Sequence, residues 1–381
     1  MKIAIIVSSP MTLKAFLRDQ IIHLSDSHHL TIVANTKDPT ELMISADNIV
    51  FKHIEIVRKI SIWKDLRAFF ALLSLFNKNN FDLVYSVTPK AGLLAMFASF
   101  LVRIHCRIHT FTGQVWVTRT GIARLLLKGI DKLLAKFATH LLADSVSQMN
   151  FLVNEKVVAE NKIKVLAGGS ISGVDMNRFK TDIISRNEIR TKLEIDDRDL
   201  VFVFIGRLDL DKGVVDLVDA FKLLVSKYTF VKLILVGPDE ANIKNQILKK
   251  TQFISKYVRF VDFTEHPENY MNAADILCLP SYREGFGSVV IEAAAVGIPA
   301  IGSDIYGIKD AIENNVTGLL FPVRDVHSLF GAMETMVLDE KRRLQFGVAA
   351  KERVKSLFSQ NHITNAFIDY FENVVGDNCA G

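Results

Sequence analysis

Short apolar runs separated by helix-length segments restrict the fold of this chain more than any other feature. In the first half, Lys2–Ser8, His29–Asn35, Leu83–Ser86, Ile108–Thr110 and His140–Asp144 read as buried strands. In the second, Val201–Gly206, Lys232–Gly237, Val258–Phe263, Ile276–Leu279 and Ala300–Gly302 read the same way. Helical spacing marks Ile62–Phe76, Gly121–Ala138 and Val215–Lys227 between them. A strand without polar alternation is buried on both faces, and the intervening helices supply the cover. The pattern predicts an α/β chain with two Rossmann-like, doubly wound parallel sheets. A length of 381 residues suits two domains. The Gly/Ser-rich stretch at 168–173 has linker composition, so the expected division is 1–172, 173–355 and a C-terminal segment 356–381.

Two such sheets facing each other would form a cleft between their strand ends, where ligands of α/β sheets bind. An apolar content of 49% fits globular cores and argues against disorder. Cys106, Cys278 and Cys379 form no metal-ligand spacing and read as free thiols of a reducing cytoplasm. The longest apolar stretch, Ala91–Val102, is shorter than the roughly 20 residues that span a membrane. The expectation is a cytoplasmic chain, peripheral on the inner face of a membrane. Charge is uneven: residues 1–180 hold 23 Lys and Arg against 13 Asp and Glu (+10), and the remainder 23 against 29 (−6). A basic half suits an anionic partner such as a lipid surface. No aromatic-basic interleaving points to a nucleic acid.

Two segments carry chemistry. The first runs Pro280-Ser281-Tyr282-Arg283-Glu284-Gly285-Phe286-Gly287-Ser288 and enters an apolar helix containing Glu292. Gly285 and Gly287 let the backbone approach a ligand, and the amides of a helix start attract an anion. A carboxylate one turn into that helix can accept two hydrogen bonds from a vicinal diol such as a ribose. The second, Gly206-Arg207-Leu208-Asp209-Leu210-Asp211-Lys212-Gly213, follows a strand. Arg207 and Lys212 there are placed to clamp a diphosphate and to stabilise it as a departing group. Flanking basic residues argue against Asp209 and Asp211 as a metal site, and no metal or cofactor is expected.

Together these segments resemble the family-four retaining glycosyltransferases of the GT-B architecture, whose signature is a glutamate, seven residues and a second glutamate, here Glu284 and Glu292. The resemblance extends through Val236-Gly237-Pro238, Ala274-Asp275, Gly297-Ile298-Pro299, Asp304-Ile305-Tyr306-Gly307 and Thr317-Gly318-Leu319-Leu320. It is dense over about 200–325 and looser over 1–180. The chain is similar to bacterial enzymes that assemble O-antigen or capsule. The resemblance implies a hexosyltransferase that moves a hexose or N-acetylhexosamine from a UDP-sugar to a glycan hydroxyl on a polyprenyl diphosphate. It implies Arg207 and Lys212 on the donor diphosphate and Glu284 on the sugar. Gly285, Phe286, Gly287 and Ser288 would line the donor, and Glu292 would hold the ribose. No metal is needed, and the C-terminal helix returns to the first domain. The family's N-domain histidine aligns with Thr112, before Gly113, which makes Thr112 and Gly113 candidates for an active-site wall. His109 stands on the preceding strand, either structural or part of an active-site wall. Asp262 replaces a usual glycine, and Ser8-Ser9-Pro10-Met11 lacks the usual Gly-Gly.

Arg124, Lys128, Lys132 and Lys136 recur every four residues among Ile122, Leu125, Leu126, Leu133 and other apolar residues. The spacing predicts a basic amphipathic helix whose charged stripe faces either solvent or an anionic leaflet. Two other activities share this architecture: nucleotide-sugar 2-epimerisation, which needs no acceptor, and non-catalytic binding of a sugar nucleotide.

Overall fold

The computed structural model describes residues 1–38, 40, 44, 47–57 and 61–379, with side chains through residue 376. The chain divides into two units, Met1–Ser172 with Asn361–Gly381, and Gly173–Gln360. The first holds seven parallel strands: β1 (Lys2–Ile6), β2 (His29–Ala34), β3 (Ile49–His53), β4 (Leu83–Val87), β5 (Cys106–Phe111), β6 (His140–Ala143) and β7 (Ile163–Lys164). Their order is β3-β2-β1-β4-β5-β6-β7. The second holds β8 (Leu200–Ile205), β9 (Val231–Val236), β10 (Val258–Val261), β11 (Ile276–Leu279), β12 (Ala300–Ser303) and β13 (Gly318–Phe321). Their order is β10-β9-β8-β11-β12-β13.

Every pairing is parallel, and in the second unit the two faces of the sheet bury alternate residues of each strand. Val201, Val203, Leu277 and Leu279 pack with Val290, Ile291 and Ala294 of the helix Ser288–Val296. Phe202, Phe204, Ile276 and Cys278 pack on the other face with Leu217, Phe221 and Leu224 of the helix Val214–Val225. Three strands, β3, β7 and β13, were not expected. All three lie at sheet edges, and β3 is exposed along most of its length. That exposure dilutes the apolar run of β3, and β7 is only two residues long, whereas β13 is a four-residue apolar strand that is largely buried.

The C-terminal helix Gln360–Cys379 belongs to the first unit, where Phe367 and Phe371 pack 5.4 and 5.2 Å from the ring of Tyr85. The expected start of this segment at 356 is too early. Phe358 packs edge-on to Phe286 at 5.1 Å in the second unit, which therefore keeps the chain to residue 360. Cys106 and Cys278 are buried free thiols, and the side chain of Cys379 lies outside the described residues. Removing a buried ring leaves a cavity that surrounding atoms fill only in part. Phe371→Ala is therefore expected to destabilise the first unit by about 3–5 kcal/mol, read from urea unfolding; a loss below about 1 kcal/mol would show that the helix is not anchored there.

Candidate functional site

In the second sheet the strand order reverses between β8 and β11. Loops leaving neighbouring strands at such a reversal part from each other and open a crevice. Here the β8 loop is residues 206–213 and the β11 loop is 280–287. Their backbones are tied together: the Tyr282 N–H donates to the Asp211 carbonyl at 2.8 Å. Gly213, at φ +66°, lies so near that a Cβ would stand 2.0 Å from the Pro280 carbonyl oxygen. Only glycine permits both that conformation and that approach. Asp209 accepts the Asp211 N–H at 2.9 Å and so caps the turn Leu210–Lys212. Asp211 accepts from Arg283 Nε at 3.0 Å. Both carboxylates thus hold the loops, and among the described residues no group of His, Cys, Asp and Glu is arranged to bind a metal.

The junction brings Lys212 onto Glu284. Lys212 Nζ pairs with Glu284 Oε1, which also accepts from Ser281 Oγ at 2.8 Å. Arg207, on the same loop, donates from Nη1 to Glu240 Oε2 at 2.8 Å and lies 3.8 Å from Asp209. Glu240 is half exposed, and pairs of that kind contribute at most about 1 kcal/mol, so an anionic ligand can take its place. Beside them the helix Ser288–Val296 starts at Gly287, φ +83°, with no side-chain cap. Val290 N–H donates to the Gly287 carbonyl at 2.9 Å, which leaves the Ser288 and Val289 amides without an intrahelical acceptor, and the positive end of the helix lies at the loop. Phe286 is buried against Phe358, so this residue gives the loop backbone rather than ring surface. Tyr282 donates to Asp216 at 2.8 Å beneath the Arg324 guanidinium, 4.6 Å from the ring centroid. Burial and the Asp216 carboxylate push its phenol up to about 12.

Glu292 is the fifth residue of that helix and only partly accessible. Desolvation pushes its carboxyl up to about 7; Arg178 opposes the shift and Glu268 adds to it. Among the described residues the carboxyl makes no hydrogen bond. Arg178 donates to Glu268 instead, at 2.9 and 3.1 Å. Sequence reading passed over Glu240, Asp216, Arg324 and Arg178. Glu240 had a signal, since it follows the end of β9, the neighbour of β8; the others are brought in by tertiary packing alone.

In the first unit the His109 side chain faces the interior rather than an open surface. It is buried, 2.9 Å from Ser86 Oγ through Nδ1, edge-on to Phe111 at 4.8 Å. Burial pushes its imidazole down to about 3, so it stays neutral. A Cβ on Gly92 would stand 2.4 Å from it, which shows how closely the helix Pro89–Leu101 covers it. Thr112, partly accessible, and Gly113, at φ +105°, follow β5 at its carboxyl end. Arg124 and Lys128 both pair with Glu155, whereas Lys132 and Lys136 are exposed.

Residues 185–353 match the family "Glycosyl transferases group 1". The capsular polysaccharide biosynthesis glycosyltransferase CapM of Staphylococcus aureus is 31% identical over 320 residues, 83% of each chain. The chain belongs to the group 1 glycosyltransferases. A second relative of this glycosyltransferase is the Escherichia coli UDP-Gal:alpha-D-GlcNAc-diphosphoundecaprenol alpha-1,3-galactosyltransferase, 26% identical over 74% of this chain and 73% of that one. Among solved structures, HepE of Anabaena in complex with UDP-glucose superposes with a TM-score of 0.80 at 19% identity, covering 98% of this chain and all of the other. At that identity the likeness establishes the GT-B fold.

The Glu292 carboxyl gives a pH signature. A carboxyl raised from 4.5 to about 7 keeps its proton in the folded state where the unfolded chain has lost it. Stability then falls as pH rises through that window. Glu292→Gln is expected to flatten this part of the curve of urea midpoint against pH between 5 and 8; an unchanged slope would remove the buried-carboxyl assignment.

Proposed function

We propose that this glycosyltransferase retains anomeric configuration and moves a hexose or N-acetylhexosamine from a UDP-sugar to a hydroxyl of a polyprenyl-diphosphate-linked glycan, in the assembly of a surface polysaccharide. The observation that carries the reading is the Lys212–Glu284 junction, with Arg207 on its own loop and an uncapped helix start beside it. A dianionic leaving group needs cations and oriented amides where its charge develops, and these are held in place before the ligand arrives. In this reading Arg207 and Lys212 take the diphosphate, with Gly285, Phe286, Gly287 and Ser288 giving backbone donors along it. Glu284, released from Lys212, accepts from hydroxyls of the sugar. Glu292, with open acceptor capacity, takes the two ribose hydroxyls.

Retention then follows from attack on the face the diphosphate leaves, with a donor phosphate oxygen taking the acceptor proton. Glu284 and Glu292 act as binders, unlike the carboxylate pair of most glycosidases. The two cations and the amides do the work a metal does elsewhere, so turnover persists in chelator. The lipid-linked acceptor and UDP donor follow the naming of the Escherichia coli relative and the ligand of HepE. Such an acceptor puts the protein at the inner face of a membrane; no helix among the described residues is long and apolar enough to cross one.

A panel of UDP- and GDP-sugars, scored by thermal shift and by released nucleotide in EDTA, tests the reading, because a ligand that binds the folded state raises its apparent stability. One UDP-sugar is expected to stand out; silence across all UDP-sugars would reject it. Lys212→Ala should lower kcat about 10²- to 10³-fold with the fold intact, as for loss of one transition-state donor. Affinity for a UDP-sugar, whose diphosphate has no group titrating near neutrality, should rise as pH passes through 7 and lose that dependence in Glu292→Gln, since the ionised carboxylate is the better acceptor; pH-independent binding by the wild type would overturn the ribose role.

A further inference from the structure

The helices on one face of the first sheet turn apolar side chains to solvent. On Ile62–Asn79, Ile62, Trp63, Leu66 and Phe70 are between 44 and 78% exposed. On Gly121–Phe137, Ile122, Leu125, Leu126 and Leu133 are between 45 and 76% exposed. Each set recurs at three- and four-residue spacing and so forms one helix face. The second helix is turned over relative to the sequence expectation. Its inner side carries Leu134 and Ala135 into the core. Asp131 accepts from Trp116 Nε1 at 2.7 Å, and Arg124 and Lys128 lie 5.5 and 5.6 Å over the Trp116 ring while pairing with Glu155. Half of the basic stripe is therefore committed inside the unit, and the leucines face out with Lys132 and Lys136.

The Pro89–Leu101 helix joins the two faces. Phe69 stacks on Phe97 at 5.1 Å, and Phe97 on Phe137 at 4.8 Å. Exposed Phe100 lies 5.1 Å from Phe137. A continuous apolar surface thus runs over three helices, of the kind that marks an interaction site. Its charge is one-sided. Residues 61–80, 89–103 and 119–137 hold ten Lys and Arg and two Asp. Asp131 is buried, and Asp65 is held by Lys90 at 2.7 Å. Arg67, Arg103, Arg119, Lys132 and Lys136 are exposed.

We propose that this three-helix face docks on an anionic lipid bilayer, Ile62, Trp63, Leu125 and Leu126 entering the headgroup layer while Lys132, Lys136 and Arg67 meet lipid phosphates. The proposal rests on the lipid-linked acceptor read above and adds the surface that meets the lipid. Apolar side chains interspersed with cations, and no free acid, complement a negative leaflet. A second copy of the chain would set like charges against each other. The amino ends of the three helices lie at the carboxyl ends of the strands, the edge of an α/β sheet that binds ligands, so docking holds that edge at the membrane.

The chain has two tryptophans, and Trp116 is buried, so a change in emission on docking reports Trp63. The full chain is expected to co-sediment with phosphatidylcholine vesicles containing phosphatidylglycerol, with a blue shift absent from pure phosphatidylcholine. Leu125→Glu with Leu126→Glu, and separately Lys132→Gln with Lys136→Gln, should each weaken partitioning at least about tenfold. Both should leave circular dichroism and UDP release from donor alone unchanged. Trp63→Phe should abolish the spectral shift and keep the binding. Failure to sediment with anionic vesicles overturns the proposal, as does a dimer in solution that the Leu125→Glu, Leu126→Glu variant dissociates. Absent UDP release with vesicle binding intact would instead reject the transferase reading and leave the surface standing.

Discussion

Pro280 can lie against the β8 loop only because residue 213 has no side chain. The approach that a Cβ would block, at 2.0 Å, pins two loops whose strands are neighbours at the order reversal. Everything chemical in the second unit follows from it. With the backbones tied, Lys212 pairs with Glu284 and Asp211 with Arg283. The loop then continues through Gly287 into a helix that starts without a side-chain cap. Rigid backbone, rather than long side chains, sets the separation between cation and helix end, which is what preorganised recognition of a phosphate requires.

Much of this was legible in the sequence. Strand periodicity found the central strands of both sheets, because a strand with two covered faces must be apolar at every position. It missed β3, which is exposed along most of its length, the two-residue β7 and the four-residue β13. The glycines around Glu284 and the basic ends of the β8 loop pointed to two loops that the structure ties together at the order reversal. What was not legible were partners from distant segments. Arg324 over Tyr282 and Arg178 beside Glu292 come from distant segments, and nothing local encodes their pairing; Glu240 on Arg207 had only its place after β9 to mark it. His109 was ambiguous for the opposite reason: a histidine next to the loop at a strand's carboxyl end looks chemical until its burial against Gly92 is seen.

The helix Gly121–Phe137 shows the limit of reading amphipathicity as orientation. Periodicity reports that a helix has two faces, and the habit of soluble proteins assigns the apolar one to the core. Here a buried Trp116–Asp131 hydrogen bond and the cations over the indole fix the inner side. An indole N–H and a carboxylate satisfy each other, and burial without the acceptor would leave the donor unpaired. A polar inner seam thus directs leucines outward, and no count of hydrophobic residues would disclose it.

The Lys212–Glu284 pair also bears on the end of a catalytic cycle rather than its beginning. A lysine that existed only to grip a diphosphate would be left as an isolated charge in a half-enclosed crevice each time the product departed, and that penalty would slow its departure. In the proposed reading, the carboxylate that yields the lysine to the incoming donor is positioned to reclaim it. The vacated crevice returns to neutrality by rotation of one side chain, and the protein is reset without waiting for a counter-ion from solution.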